Sequence, residues 1–211
     1  MAEDIQLIKV NKSNYQILSQ LHFENFRYAY RKESYEAIVR AEIAFGYIAY
    51  YQGNVAGEVV GEYEIEFGKM VLYIASISVR EGFRKNGIGS ALINKIIECG
   101  ADTRAIFLHV RKSNTVAQAF YHKHGFEEVR VVPNYYHSEN EDGLVYRKVI
   151  YPITTPTTHF KVYQKLTSWF HQDYAFGYPN YDPFIVDDLP KVTASTPLIQ
   201  NEKNFECNCR L

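Results

Sequence analysis

The sequence predicts an α/β domain built on a seven-stranded mixed β-sheet with about four flanking helices, followed by an extension of different character. Three observations point there. Period-two apolar alternation recurs in seven short runs, and apolar spacing of three to four residues recurs in four segments. From residue 71 onward strand and helix alternate, the grammar of a parallel crossover. Glycine and proline then set the boundary: eleven of the 12 glycines precede residue 151 and six of the seven prolines follow it. Residues 1–151 therefore read as the folded domain and 152–211 as an extension. With Phe160, Trp169, Phe170 and Phe176, the extension is too aromatic for a wholly solvated tail, and a short docked helix is expected over 158–172.

Ile5 to Val10 alternates as a first strand, and Ser13 to Phe26 and Ser34 to Ile43 carry helical spacing. Phe45 to Tyr51, Val55 to Phe67 and Val71 to Val79 are β-rich and joined by Gln52-Gly53-Asn54 and Gly68-Lys69, an antiparallel meander. In its middle run Glu62, Glu64 and Glu66 alternate with Tyr63, Ile65 and Phe67, so the acids share one face. A solvated sheet face is the expectation; a cation-attracting ladder is the alternative. Gly87 to Cys99 is a helix, with Ile88, Leu92 and Ile96 on one stripe and Gly100 as its stop. Ala105 to Arg111 is a strand, parallel to Val71–Val79 through that crossover. Thr115 to Lys123 is a helix ending at Gly125, and Phe126 to Val132 and Val145 to Ile150 complete the sheet. Tyr135 and Tyr136 fall between these last two strands.

Charge excludes several functions. Lys plus Arg number 23 against 24 acids, a net charge of -1, so no broad basic field exists for nucleic acid or an anionic membrane. No apolar run reaches the roughly 18 to 20 residues that span a bilayer, and Met1-Ala2-Glu3-Asp4 opens acidic where a secretory signal is basic. A cytoplasmic location is expected, with the nucleus as a second compartment. Cys99, Cys207 and Cys209 form no disulfide framework, and Cys207-x-Cys209 is half a zinc site. His122 and His124 diverge on a helix, so no metal is expected.

Any anion site must be local, and Arg84-Lys85-Asn86-Gly87-Ile88-Gly89-Ser90 is the candidate. Two glycines let backbone approach a ligand, the helix beginning there offers free N–H groups and its positive dipole end, and Arg84 and Lys85 add charge. It is no Walker loop, lacking Gly-Lys-Ser/Thr, and Leu92 replaces the third glycine of a dinucleotide fingerprint.

Leu72-Tyr73-Ile74, this loop, Leu108-His109-Val110 and Asn114 to Phe126 together resemble the GCN5-related N-acetyltransferase (GNAT) family over most of residues 1–150. Within it, the first and third of these with Asn134-Tyr135-Tyr136 are most similar to NatE-type N-terminal acetyltransferase catalytic subunits. The resemblance implies the GNAT fold and acetyl-CoA as co-substrate. The pyrophosphate would lie on the backbone of 84–90 and the pantetheine along Ile77, Ser78 and Val79 like an added strand. Asn114 and Tyr121 would lie beside the cofactor, Tyr121 at the leaving thiolate. Their bland readings are a helix cap and helix packing.

The same residues make chemical sense unaided. Tyr73 is expected to share a strand face with Ala75 and Ile77, and His109 one with Phe107 and Arg111, on neighbouring parallel strands. Acyl transfer from a thioester needs a neutral amine and a proton acceptor, and histidine has the side-chain pKa nearest neutrality. The resemblance implies that Tyr73 and His109 act through ordered water. A peptide α-amino group loses its proton near 7.7 to 8.0 and lysine near 10.4, a difference of roughly 3 to 4 kcal/mol in reaching the free base, which favours N-termini.

For the peptide, the resemblance makes Tyr135 and Tyr136 a hydroxyl gate and the loop at Phe26, Arg27, Tyr28 and Tyr30 the opposite wall. The family's loop reads roughly Phe-Pro-Val-x-Tyr and pockets an initiator Met. Here Arg27 and Tyr28 stand in place of Pro and Val, a phenol that narrows the pocket and a guanidinium suited to an acidic second residue. Partners implied are peptide N-termini and, as for NatE-type subunits, the NatA auxiliary scaffold and catalytic subunit at the ribosome. Two other readings stay open: a lysine or polyamine acetyltransferase, and a non-catalytic acetyl-CoA-binding subunit.

Overall fold

The structure, a computed structural model, describes residues 5–26, 31–41, 43–66 and 68–150, with the backbone of 209–210. Strand β1 (Ile5–Lys9) leads to helices α1 (Tyr15–Phe26) and α2 (Lys32–Arg40), then to the meander β2 (Ala44–Tyr51), β3 (Asn54–Glu66) and β4 (Lys69–Val79). Helix α3 (Ile88–Cys99), β5 (Ala105–Arg111), α4 (Thr115–Lys123), β6 (Glu127–Tyr136) and β7 (Glu141–Val149) follow. The sheet order is β1-β2-β3-β4-β5-β7-β6, all antiparallel except β4–β5. A two-residue strand β8 (Cys209–Arg210) adds in parallel to β4.

Local chemistry explains the elements. Gln52 and Gly53 both take positive φ, 49° and 78°, the paired left-handed geometry that matches hairpin twist. The Asn114 side chain accepts the Ala117 N–H at 3.1 Å and starts α4. Leu18, Leu21, Tyr35 and Ile38 of α1 and α2 pack on Ile48 and Val60 on one face. On the other, Ile88, Leu92, Ile93 and Ile96 of α3, with Ala117 and Tyr121 of α4, cover Val59, Leu72, Ile74, Ile77 and Leu108.

One irregularity changes a sequence expectation. Gly61 pairs with Ile74 but Val60 pairs with Ser76, so Ala75 is a bulge. The alternation slips there. Tyr73 lies on the α1/α2 face with Ser76 and Ser78, while Ile77 turns to α3 with Ile74, so Tyr73 and Ile77 do not share a face.

Beneath α1 this slip builds a buried polar network. Fully buried Glu58 accepts from Ser76 Oγ at 3.0 Å and Ser78 Oγ at 2.9 Å, and His22 Nε2 lies 3.3 Å from the carboxylate. His22 Nδ1 meets Tyr35 Oη at 3.0 Å, and Asn25 Nδ2 donates to Ser78 Oγ at 3.1 Å. Truncating the carboxylate strands several buried donors at once. Glu58→Ala is expected to cost about 3 kcal/mol or more, lowering the melting temperature by roughly 6 to 12 °C; a loss below about 1 kcal/mol in urea unfolding would mean the network bears little of the fold.

Candidate active site

Strands β4 and β5 pair only at Leu72–Ile106 and Tyr73–Phe107 and then part. Tyr73 and His109 stand where they diverge. The Tyr73 hydroxyl lies 3.3 Å from His109 Nδ1, within direct hydrogen-bond reach. Phe107 packs on Tyr73 with centroids 4.9 Å apart, and Tyr135 stacks on the imidazole at 4.2 Å and 3°. Burial among these rings, and secondarily the positive charge of Arg130, push the His109 imidazole down to about 3. A neutral imidazole at physiological pH follows.

The loop before α3 brings the predicted anion cradle together. Gly87 caps the helix at φ 82° with no side-chain acceptor on its first turn, so the N–H groups of Ile88, Gly89 and Ser90 project from its end. Ile88 itself sends its side chain into the core, leaving only its backbone to a ligand. Arg84 Nε donates to Val79 O at 3.3 Å and Asn86 Nδ2 to Phe83 O at 3.2 Å, so both brace the loop; Lys85 is exposed, at φ 64°.

Other expected residues are placed as follows. Ile77 and Val79 are core residues and Ser78 is held by Glu58, so only their backbone can meet a cofactor. The Ile77–Ser78 edge is paired with Cys209–Arg210. An extended ligand there and β8 exclude one another. Tyr121 is fully buried against Phe126 and Tyr146, with centroids 5.8 Å and 6.1 Å away. Phe26 is buried, its ring 5.8 Å from His22, whereas Arg27, Tyr28 and Tyr30 lie outside the described residues. Tyr135 and Tyr136 are not in a loop: they end β6, which runs through Pro133 because an edge strand tolerates proline.

The acid row is half-buried, with Glu62, Glu64 and Glu66 each partly exposed. Glu62 pairs opposite Tyr73, placing the row on the same side of the sheet as the phenol. Burial first, then repulsion by Glu62 and Glu66, push the Glu64 carboxyl up to about 8. Glu66 is ion-paired with the buried guanidinium of Arg147. Arg130, Gly143 and the Glu58 network carry little signal in the sequence: Gly143 sits beside Glu141 and Asp142 ahead of the apolar run, and Glu58 is a lone acid within a β-rich one. Among the described residues no cluster of three His, Cys, Asp or Glu could hold a metal; His122 meets Tyr146 and His124 the Phe120 carbonyl.

The acetyltransferase (GNAT) family profile matches residues 12–126. The chain belongs to the GNAT family. Its relatives include the probable N-acetyltransferase san of Drosophila melanogaster, 31% identical over 69% of this chain and 81% of that one. An N-alpha-acetyltransferase of Sulfolobus acidocaldarius is 34% identical over 46% of this chain, and the match spans 66% of the archaeal protein. Among solved structures, Arabidopsis thaliana Naa50 in complex with the bisubstrate analogue CoA-Ac-MVNAL superposes with a TM-score of 0.62 at 31% identity, over 70% of this chain and 99% of that one. The splayed strands, the loop before α3 and the phenol–imidazole pair all lie within this GNAT-fold domain.

The imidazole supplies a direct check. With its pKa depressed, His109 binds a proton only as pH falls toward about 3. Histidine NMR on labelled protein is expected to show one imidazole flat between pH 5 and 8 and absent in His109→Asn; a midpoint near 6.5 at His109 would remove the dry environment described here.

Proposed function

We propose that this chain is an Nα-acetyltransferase that moves an acetyl group from acetyl-CoA to the α-amino group of a peptide. The observation that carries it is the neutral imidazole 3.3 Å from a phenol where β4 and β5 part, in a domain whose helix α3 opens on an uncapped N-terminus suited to a phosphate. The cofactor's pyrophosphate sits on the backbone of 84–90, and its pantetheine takes the β4 edge at 77–79, so β8 must leave when it binds.

In the reaction the amine nitrogen attacks the thioester carbonyl carbon, the C–S bond breaks, and the nitrogen's surplus proton passes to His109, directly or through water held by Tyr73. Asn114 and Tyr121 on α4 serve the cofactor, with Tyr121 as the proton source for the departing thiolate. A base near 3 cannot strip an intact ammonium efficiently: the uphill transfer is about 6 to 7 kcal/mol from an α-amine but about 10 from lysine. The substrate must therefore arrive largely as free base, which favours an N-terminus. His109 then accepts the far more acidic proton of the nitrogen after attack.

A NatE-type identity, association with the NatA scaffold at the ribosome and a cytoplasmic location are the finer parts of this proposal. The first is supported by the sequence resemblance and by likeness to the Arabidopsis Naa50, the second by the resemblance alone, and the third by the near-neutral charge and the absence of a long apolar run in the sequence. Among the described residues no helix is long and apolar enough to cross a membrane. The acid row beside Tyr73 favours one second reading, acetylation of a lysine or polyamine. The presence of both Tyr73 and His109 in the cleft speaks against a non-catalytic subunit.

Tyr73→Phe and His109→Ala are each expected to lower turnover about tenfold or more while acetyl-CoA affinity holds; full turnover in both would refute the roles given them. In competition, a peptide with a free N-terminus should consume acetyl-CoA ahead of an internal-lysine peptide and spermidine, and preference for spermidine would install the second reading instead.

A further inference from the structure

The end of β6 is not a regular strand. Val132 pairs with Gly143 and Tyr136 with Glu141, so β6 takes four steps where β7 takes two. The bulge is Pro133-Asn134-Tyr135, three residues opposite Asp142 alone. Its middle residue sits at φ 51° and donates its N–H to Asp142 Oδ1 at 3.0 Å, and Lys112 Nζ holds the other oxygen at 3.1 Å. Tyr136 turns inward and is fully buried beneath the Arg111 guanidinium, 4.1 Å from its ring centroid. Arg111 in turn pairs with Glu139 at 3.0 Å and Glu141 at 3.5 Å, on the connection between β6 and β7. Both ends of the bulge are thus fixed. Tyr135, its ring 82° from that of Tyr136, lies against β7 and over His109.

What permits this is an absence. A β-carbon on Gly143 would stand 2.8 Å from Tyr135 Cβ, 2.9 Å from Cγ and 3.0 Å from Cδ1. Those atoms are the root of the side chain, not a flexible tip, so they clear only if the bulge itself moves. Glycine otherwise weakens a strand interior, offering nothing to pack.

We propose that Gly143 is a positioning residue: its missing side chain is the seat that lets the 133–135 bulge lay Tyr135 on His109 and keep water off the imidazole. The inference deepens the acetyl-transfer reading and rests on it for its consequence in turnover. The groups that meet the imidazole are the Tyr73 phenol from β4, Arg130 and Tyr135 from β6, Val145 opposite it on β7, and Phe107 and Arg111 along its own strand. Lifting Tyr135 rehydrates the ring and lets it hold a proton near neutrality, and a protonated imidazole accepts none from the attacking amine.

The test uses the full chain with labelled histidine. Gly143→Ala is expected to move the His109 midpoint from below pH 4 toward about 6.5, and so to cut kcat about tenfold at pH 5.5 but less than about twofold at pH 7, with the KM for acetyl-CoA unchanged. Tyr135→Ala should reproduce that titration, and Tyr135→Phe, which keeps the stacked ring, should not. In a Tyr135→Gly background Gly143→Ala should add nothing, because Cβ, Cγ and Cδ1, the atoms it would strike, are all gone; a further loss there overturns the proposal. So does a Gly143→Ala imidazole as flat as in the unsubstituted chain. A shifted imidazole with full turnover at pH 5.5 keeps the seat and instead removes the base role of His109. If Gly143→Ala does not fold, the double variant is expected to fold, and its failure too overturns the assignment.

Discussion

The constraint on which the molecule turns is that β4 cannot stay paired with β5. The Ala75 bulge adds a residue to β4 just past Tyr73, bends the strand and increases its twist, and pairing with β5 stops at Tyr73 and Phe107. Beyond the split the strand is held from its other side, where Ser76 and Ser78 are tied to Glu58 of β3. The result is an open edge in the middle of a sheet, along residues that are themselves buried. Backbone N–H and C=O groups in such a place demand partners. Two of the residues find them in β8. A ligand carrying amides in series, as pantetheine does, meets the same demand, so the slot's affinity for an extended amide chain follows from the fold before any side chain is considered.

The split also decides the chemistry at its mouth. Where the strands begin to part, a phenol and an imidazole from adjacent strands are close enough to bond, and aromatic rings from β5 and β6 surround them. The imidazole pays for this dryness with basicity. That is a sensible exchange for an enzyme whose nucleophile is an α-amine, an appreciable fraction of which is free base at physiological pH: a strongly basic histidine would itself be protonated below neutrality, whereas this one is ready at every physiological pH. The burden of supplying a free amine then falls on the substrate.

Much of this was legible in the sequence, and unevenly so. β5 and α4 have the ends expected of them because strong signals bound them, a β-rich run before Asn114 and a cap-to-glycine helix after it. The anion loop was legible because glycine, helix start and positive charge coincide within seven residues. The Ala75 bulge was not, since Tyr-Ile-Ala-Ser-Ile-Ser alternates smoothly through it; only pairing with β3 reveals the slip. Pro133 read as the end of a strand, yet the strand lies on the sheet edge and absorbs the proline within a bulge. The Glu58 network joins residues more than fifty positions apart on α1 and β4, beyond any periodicity.

The acid row shows how burial can reverse a charge argument. Three glutamates on one face beside Tyr73 suggest a trap for polycations, and formal charge would make it a strong one. Glu66, however, is committed to Arg147, which spreads over Phe107 and belongs to the cleft's own wall. Glu64, pushed up to about 8 by burial and by its neighbours Glu62 and Glu66, is held mainly in its protonated form near neutrality. Of three formal charges, about one is left to act at long range. A cation entering the row must first displace a proton from Glu64, an uphill step near pH 7, before the pair forms. That uphill step weakens the case for a polyamine and leaves an uncharged amine, arriving along the peptide side of the sheet, as the substrate this face accepts most easily.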